Sequence, residues 1–183
     1  MRIRIGIAFI LLLACASPAW AQTAIGDEQK YLLLATSKTS TMQRELDAAA
    51  ALGFKVMVGS GIEGAEIALL LERVPADAPK MTYKLLATSH TGTMERELND
   101  AAKDGYRLLP RTLSSKKAAF VGPEIVAVME RDPAAPKVMY RLLATSRTGT
   151  LQKELSQAIT EGYKVAGMVS RGEHILILER EAR

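Results

Sequence analysis

Three short turns rich in threonine carry the residues best suited to binding an anion. Each turn combines a basic residue with two threonines at the point where a helix is predicted to begin. The residues are Lys38, Thr39 and Thr41, then His90, Thr91 and Thr93, then Arg147, Thr148 and Thr150. Backbone N–H groups and the helix dipole favour negative charge at such a position. The turns therefore predict one candidate site, a binder of small anionic ligands.

The same turns have a simpler explanation as helix caps. A threonine at the start of a helix can accept a hydrogen bond from a free backbone N–H. We expect Thr41, Thr93 and Thr150, or a neighbouring residue, to act in this way, and anion binding is the alternative. The turns lack the Gly-Lys-Ser/Thr ending and the glycine spacing of a P-loop, so they do not predict that kind of phosphate site.

The residue types needed for catalysis do not form a constellation. His90 and His174 are the two histidines, and they occupy different positions in the pattern of the chain. Zinc needs three or four converging ligands, and no strained Gly-x-Ser-x-Gly turn presents a nucleophile. Glu45, Glu97 and Glu154 recur beside basic residues, which is typical of a solvated helix face. We therefore predict no catalytic residue, no metal site, no cofactor and no enzymatic activity.

One hairpin, residues 113–123, is longer than its counterpart at residues 170–173 and is a candidate contact surface. It contains Lys116, Lys117 and Phe120, which could contact a partner if the hairpin is exposed. Ordinary variation in loop length is the alternative explanation. The hairpin therefore adds a possible partner site to the threonine turns.

Charge and aromatic residues argue against a nucleic-acid partner. Removing Arg2 and Arg4 with an N-terminal leader would halve the formal net charge of +4 and leave a nearly balanced surface. Every aromatic residue after the leader except Phe120 recurs at a structural position of a repeated unit, so no stacking platform for bases is predicted.

The turns recur because the chain contains three copies of one unit. Each copy opens with a Tyr-led apolar segment, continues through the turn, and reaches a glycine followed by an aromatic residue. The opening segments are 31–37, 83–89 and 140–146. Proline-rich connectors, residues 74–79 and 132–136, separate the copies. We assign repeat 1 to residues 22–78, repeat 2 to residues 79–136 and repeat 3 to residues 137–183.

Each unit reads as a βαββ element of the α+β class. Apolar residues spaced three and four apart after each turn predict a helix, and the following Gly-aromatic pair predicts a Schellman cap. A helix between two strands permits a parallel crossover, with the third strand returning antiparallel, so we expect a mixed sheet in each unit. The third strands are apolar at consecutive positions, which is typical of strands buried on both faces. We therefore expect the three units to pack as one body.

The unit also resembles a small bacterial domain of unknown function that usually occurs as one short copy. The resemblance is carried by the Tyr-led strand, the helix that ends in Gly-Tyr at Gly105-Tyr106 and Gly162-Tyr163, and the return hairpin. It extends over all three units. It implies no activity and no functional residues.

The first 21 residues predict a secretory signal peptide of a bacterial protein. Arg2 and Arg4 precede an apolar run at residues 5–14, and Ala19-x-Ala21 offers the small residues of a cleavage site. Leu12 to Cys15 resembles a lipobox, which gives the alternative of a lipoprotein anchored at Cys15. The run is too short for a membrane span. We expect a periplasmic or secreted scaffold or binding protein whose partner is an envelope protein or a further copy.

Processing of the leader can be tested directly. We expect the exported protein to begin at Gln22 and to carry no lipid, because signal peptidase cleaves after small residues such as Ala19 and Ala21. Intact mass spectrometry of protein purified from its native host measures both properties. A mass that corresponds to a chain starting at a diacylated Cys15 would contradict this prediction.

Overall fold

A computed structural model describes residues 28–62, 66–118 and 122–182 of the chain. The predicted signal peptide, Cys15, Gln22 and Phe120 lie outside the described residues. Repeat 1 contains β1 (Tyr31–Thr36), α1 (Thr39–Ala51), β2 (Phe54–Gly61) and β3 (Ile67–Arg73). Repeat 3 contains β8 (Val138–Thr145), α3 (Thr148–Thr160), β9 (Lys164–Ser170) and β10 (His174–Glu181). The order of elements within each of these repeats is βαββ, as the sequence predicts.

Repeat 2 follows the same order with an interrupted second strand. It contains β4 (Tyr83–Thr88), α2 (Thr91–Lys103), β5 (Tyr106–Leu108), a one-turn 3-10 helix (Pro110–Thr112), β6 (Ser114–Ala118) and β7 (Gly122–Arg131). Proline at the start of the 3-10 helix cannot donate to a sheet, so the strand breaks there and resumes at β6. Both halves pair with β7. The long hairpin of the sequence is thus a pair of strands, β6 and β7.

The expected mixed sheets are wrong, because the strand pairings are antiparallel in all three sheets of the described chain. The strand orders are β1-β3-β2, β4-β7-β5 with β6 also on β7, and β8-β10-β9. The third strand of each repeat lies between the first two, so the crossover strands run parallel without touching. A register shared by the repeats pairs the opening Tyr with the closing Glu, as in Tyr31 with Glu72 and Tyr83 with Glu130.

The helices form where the apolar spacing predicts them. The four residues of α1 that carry the predicted spacing, Met42, Leu46, Ala49 and Ala50, are buried, and so are their equivalents in α2. Each helix ends before a glycine of positive φ: +84° at Gly53, +84° at Gly105 and +88° at Gly162. In repeat 3 the N–H of Tyr163 donates to the carbonyl of Ala158, and the N–H of Gly162 donates to that of Ile159. This is the predicted Schellman cap.

Neighbouring repeats share their hydrophobic cores. Sheets 1, 2 and 3 are those of repeats 1, 2 and 3. We call the face of each sheet that lies against its own helix the helix face, and the opposite face the front face. One core joins the helix face of sheet 1 to the front face of sheet 2, which presents Tyr83, Leu85, Val126 and Val128. A second joins the helix face of sheet 2 to the front face of sheet 3, which presents Tyr140, Leu142, Ile175 and Ile177. The repeats therefore form a stack in which each sheet packs on the helix layer of the repeat before it.

Equivalent leucines in different repeats test this stacking. Leu85 is buried on the front face of sheet 2, whereas Leu33 occupies the same position of sheet 1 and is exposed. We expect Leu85→Ala to lower the free energy of unfolding by about 2 to 5 kcal/mol. We expect Leu33→Ala to change it by less than about 0.5 kcal/mol.

Chemical denaturation followed by circular dichroism measures both variants. A shared core also requires that the chain unfold in one transition, and that Leu85→Ala shift this whole transition. Separate transitions for the repeats, or equal losses for the two variants, would contradict the stacked arrangement.

Candidate functional site

The threonine turns lie where the sequence places them, but the proposed caps are wrong. The N-cap residues are Lys38, His90 and Arg147, and none of the three helices has a side-chain capping hydrogen bond. Thr41, Thr93 and Thr150 lie at the third helical position, three residues beyond the N-cap. Lys38 and Arg147 have no acceptor to offer a backbone N–H, and the ring of His90 contacts Ser89 instead.

A different set of threonines orders these turns. The N–H of Lys38 donates to Thr36 Oγ1 at 3.2 Å, that of His90 to Thr88 Oγ1 at 3.2 Å, and that of Arg147 to Thr145 Oγ1 at 3.1 Å. Each of these threonines is the last residue of its first strand. A hydroxyl that binds the backbone two residues on is a recognised turn motif. The recurring Ala-Thr-Ser segment of the sequence was the available signal for it.

The turns of repeats 1 and 2 contact a basic side chain from the next repeat. Lys116 Nζ donates to the carbonyl of Ser37 at 2.9 Å. Arg171 donates to the carbonyl of Ser89 and, at 2.9 Å, to Thr91 Oγ1. The turns of repeats 1 and 2 therefore join repeats to each other, and anion binding at the three turns stays a prediction.

Only part of the second predicted site, on the long hairpin, is exposed for contact with a partner. Lys116 is buried, and it pairs with Glu124 at 3.4 Å besides binding Ser37. Its assignment to an exposed partner surface is therefore wrong, because it lies in the contact between repeats 1 and 2. Lys117 is exposed, and Phe120 lies outside the described residues.

The described residues contain no group of three or more His, Cys, Asp and Glu that could hold a metal ion. His90 Nδ1 lies 3.1 Å from Ser89 Oγ, and His174 Nδ1 lies 3.4 Å from Ser170 Oγ. The two imidazoles belong to different repeats and contact only these local hydroxyls in the bonds observed. In the described part of the chain, no helix has the length and apolarity needed to cross a membrane.

The front face of sheet 1 is the most distinctive surface of the molecule. Its equivalents in repeats 2 and 3 are buried by the preceding repeat. Leu33 is 64% exposed, whereas the equivalent Leu85 and Leu142 are 8% and 9% exposed. Tyr31 and Val58 lie on the same face and are also exposed. Ala68 and Leu70 of the central strand are half-buried there, so the apolar side chains form one continuous surface.

Charged residues lie at the edge of this face. Lys30 Nζ lies 3.7 Å from Glu72 and 5.2 Å from the centre of the Tyr31 ring. An apolar centre that contains a tyrosine, with charges around it, is the usual composition of a protein interaction surface. Sequence reasoning identified the consecutive leucines 32–34 but assigned both of their faces to the interior.

Comparison of the chain with known protein families, curated proteins and solved structures finds no match. The resemblance of the unit to a small bacterial domain therefore stays a prediction.

Two equivalent threonines test the new role of the turns. Thr91 accepts a hydrogen bond from the largely buried Arg171, whereas Thr148 holds the same position of repeat 3 and is exposed. We expect Thr91→Ala to lower the free energy of unfolding by about 1 kcal/mol, since it removes a bond to a charged donor. We expect Thr148→Ala to change it by less than about 0.5 kcal/mol. Equal losses in denaturant titrations would contradict the role of Thr91 in joining repeats 2 and 3.

Proposed function

We propose that this protein is an exported, non-enzymatic repeat protein of the bacterial cell envelope that works by binding another component through the front face of sheet 1. The observation that carries the proposal is the exposure of Leu33 and Tyr31 on a face that is buried in the other two repeats. Continuous apolar surface of this kind marks interaction sites on soluble proteins. Repeats 2 and 3 then act as the scaffold that holds this face.

The leader supports the export part of the proposal. A positive start, an apolar run of about ten residues and an Ala-x-Ala site agree with a cleaved signal. The balanced charge of the remaining chain agrees with a protein partner rather than a nucleic acid. A lipid anchor at Cys15 would place the same binding face at a membrane surface.

Three titratable groups with shifted pKa values have structural roles. Burial raises the pKa of the Tyr83 and Tyr140 hydroxyls above the ordinary tyrosine value. A hydrogen bond from Arg141 lowers the pKa of the Glu161 carboxyl below its ordinary value. All three shifts move the groups away from neutral pH, whereas a general acid or base needs a pKa near it. These groups serve packing and ion pairing.

Site-specific photo-crosslinking in the native envelope tests the proposal. A photoreactive amino acid in place of Leu33 should form a crosslink to a discrete partner, because the face is covered in the functional state. The same amino acid in place of Leu52, which is also exposed but lies at the end of α1, provides the control. Both positions tolerate a large side chain, since neither is packed in the core.

Crosslinks from position 33 but not from position 52 would support the binding face, and mass spectrometry would identify what is bound. Absence of any crosslink at position 33, with the protein present at its native level in the envelope, would overturn the proposal.

A further inference from the structure

We propose that the front face of sheet 1 binds the free end of repeat 3 of a second copy, so that the protein associates head to tail. The inference rests on the proposed function, since it names the occupant of the binding face. It follows from the contacts that join consecutive repeats. One end of the chain carries one half of the residues that make these contacts, and the other end carries the other half.

The first contact is made by the tyrosine that opens each repeat. The N–H of Val56 in repeat 1 donates to the Tyr83 hydroxyl of repeat 2 at 3.1 Å. The N–H of Leu108 in repeat 2 donates to the Tyr140 hydroxyl of repeat 3 at 2.9 Å. Both bonds are buried, so each joins two repeats where water cannot compete.

The second contact links each helix to the edge of the next sheet. In repeat 1, Gln43 donates to the carbonyl of Tyr83 at 3.1 Å and accepts from the N–H of Leu85 at 2.7 Å. Its amide thereby replaces a neighbouring strand at the edge of β4. In repeat 2, Glu95 accepts from the N–H of Leu142 at 2.8 Å, which is the equivalent bond.

Asn99 completes the same contact between repeats 2 and 3. Its side chain donates to the carbonyl of Tyr140 and accepts from the N–H of Tyr140, both at 2.9 Å. Each junction inside the chain therefore covers the edge of a first strand with polar side chains from the preceding helix.

The third contact is an ion pair between repeats. Lys55 Nζ of repeat 1 lies 3.4 Å from Glu130 of repeat 2. Arg107 of repeat 2 lies 2.9 Å from Glu179 of repeat 3. The basic residue follows the helix-ending glycine by two positions in both repeats, and the acidic residue is the Glu that pairs with the opening Tyr.

The head of the chain presents one half of all three contacts. Tyr31, Leu33 and Glu72 are the same residue types as Tyr83, Leu85 and Glu130 and occupy the same register in the sheet. Tyr31 and Leu33 are exposed. This end of the stack is thus built like the face that repeat 2 presents to repeat 1.

The tail of the chain presents the other half. Gln152, Lys164 and Val165 are the same residue types as Gln43, Lys55 and Val56 of repeat 1. Val165 is 51% exposed, whereas Val56 and Leu108 are 5% and 7% exposed under the next repeat. Ile159 and Met168 extend this exposed apolar surface around α3.

Head and tail are therefore complementary, because they carry the two halves of the contacts that join consecutive repeats within the chain. A second copy placed as a following repeat would bring Tyr31 to the N–H of Val165, Gln152 to the edge of β1, and Lys164 to Glu72. Such a contact uses two different surfaces, so it generates rings or filaments rather than a closed twofold dimer.

One internal contact has no counterpart at this junction. Lys116 and Arg171 reach back from the hairpins of repeats 2 and 3 to the turn of the preceding repeat. The corresponding segment of repeat 1, residues 61–66, contains no lysine or arginine. We therefore expect the junction between copies to be weaker than the junctions within a chain, and to dissociate on dilution.

Analytical ultracentrifugation of the mature protein, residues 22–183, tests this inference. We expect the average mass to rise with concentration beyond that of a dimer. Leu33→Glu blocks the head and Ile159→Glu blocks the tail, and each should weaken association at least about tenfold, because a carboxylate would enter an apolar contact. Both positions are exposed in the single chain, so the fold tolerates the change.

Mixing the two variants gives the decisive result. The tail of the Leu33→Glu copy and the head of the Ile159→Glu copy are intact, so an equimolar mixture should form dimers and nothing larger. Leu52→Glu is the matched control and should associate like the unaltered protein, since repeats 2 and 3 carry acidic residues, Asp104 and Glu161, at that position.

Exchange of charges tests the orientation of the junction. Lys164→Glu should weaken association, and combining it with Glu72→Lys in one chain should restore association, because every junction then carries the exchanged charges. Failure of this rescue, together with failure of the mixed head and tail variants, would overturn the head-to-tail arrangement. Loss of association by Leu33→Glu but not by Ile159→Glu would show instead that two front faces pair with each other.

The outcomes also separate this inference from the proposed function. If the protein stays monomeric up to about millimolar concentration, no second copy binds its front face. A Kd of about 1 mM corresponds to a binding free energy of only about −4 kcal/mol. If position 33 still crosslinks to another envelope protein, the binding face stands and only the identity of its occupant is wrong. A crosslink from position 33 to residues 22–27 of the same chain would assign the face to the chain's own N-terminal segment.

Discussion

The central strand of each sheet is apolar at consecutive positions, and such a strand is fully buried only where both faces of its sheet are covered. The five residues Ile125 to Met129 of β7 are fully buried, which one helix on one side of a sheet could not achieve. The sheet of repeat 2 therefore packs on its own helix with one face and on the helix layer of repeat 1 with the other. This requirement places the repeats in a stack.

The polar contacts between repeats determine the relative position of consecutive sheets, which the apolar contacts alone do not determine. Hydrophobic packing is not directional, whereas the bond from the N–H of Val56 to the Tyr83 hydroxyl has a defined length and angle. The Tyr83 hydroxyl also donates to Glu130, which in turn pairs with Lys55 of the preceding repeat. A small network thus ties one sheet to the next, and its backbone bond and its ion pair recur with Tyr140 and Arg107.

Consecutive repeats of the stack are joined by the same kinds of contact. The residues of these kinds at the two ends of the stack have no adjoining repeat to contact, and the functional interpretation follows from this property. Inside the chain, Thr91 and Lys116 are used in contacts between repeats, so these two of the residues that first suggested a binding site have structural roles. At the ends, the front face of sheet 1 and the outer side of α3 remain uncovered. The surface available for binding is therefore a consequence of the position of a repeat in the stack rather than of a special motif.

The sequence by itself determined the number of repeats, the helices and their glycine ends, because these depend on local spacing and on backbone conformations that few residues adopt. It did not determine the strand order, since either the second or the third strand could have paired with the first, and only the Tyr–Glu register across the sheet decides this. It also misplaced the helix caps, because Thr36 and Thr41 are both chemically able to bind a turn and the actual start of the helix selects between them. Leu33, Leu85 and Leu142 look alike in the sequence; only the tertiary structure decides that two are buried and one is exposed, because burial depends on whether another repeat precedes them in space.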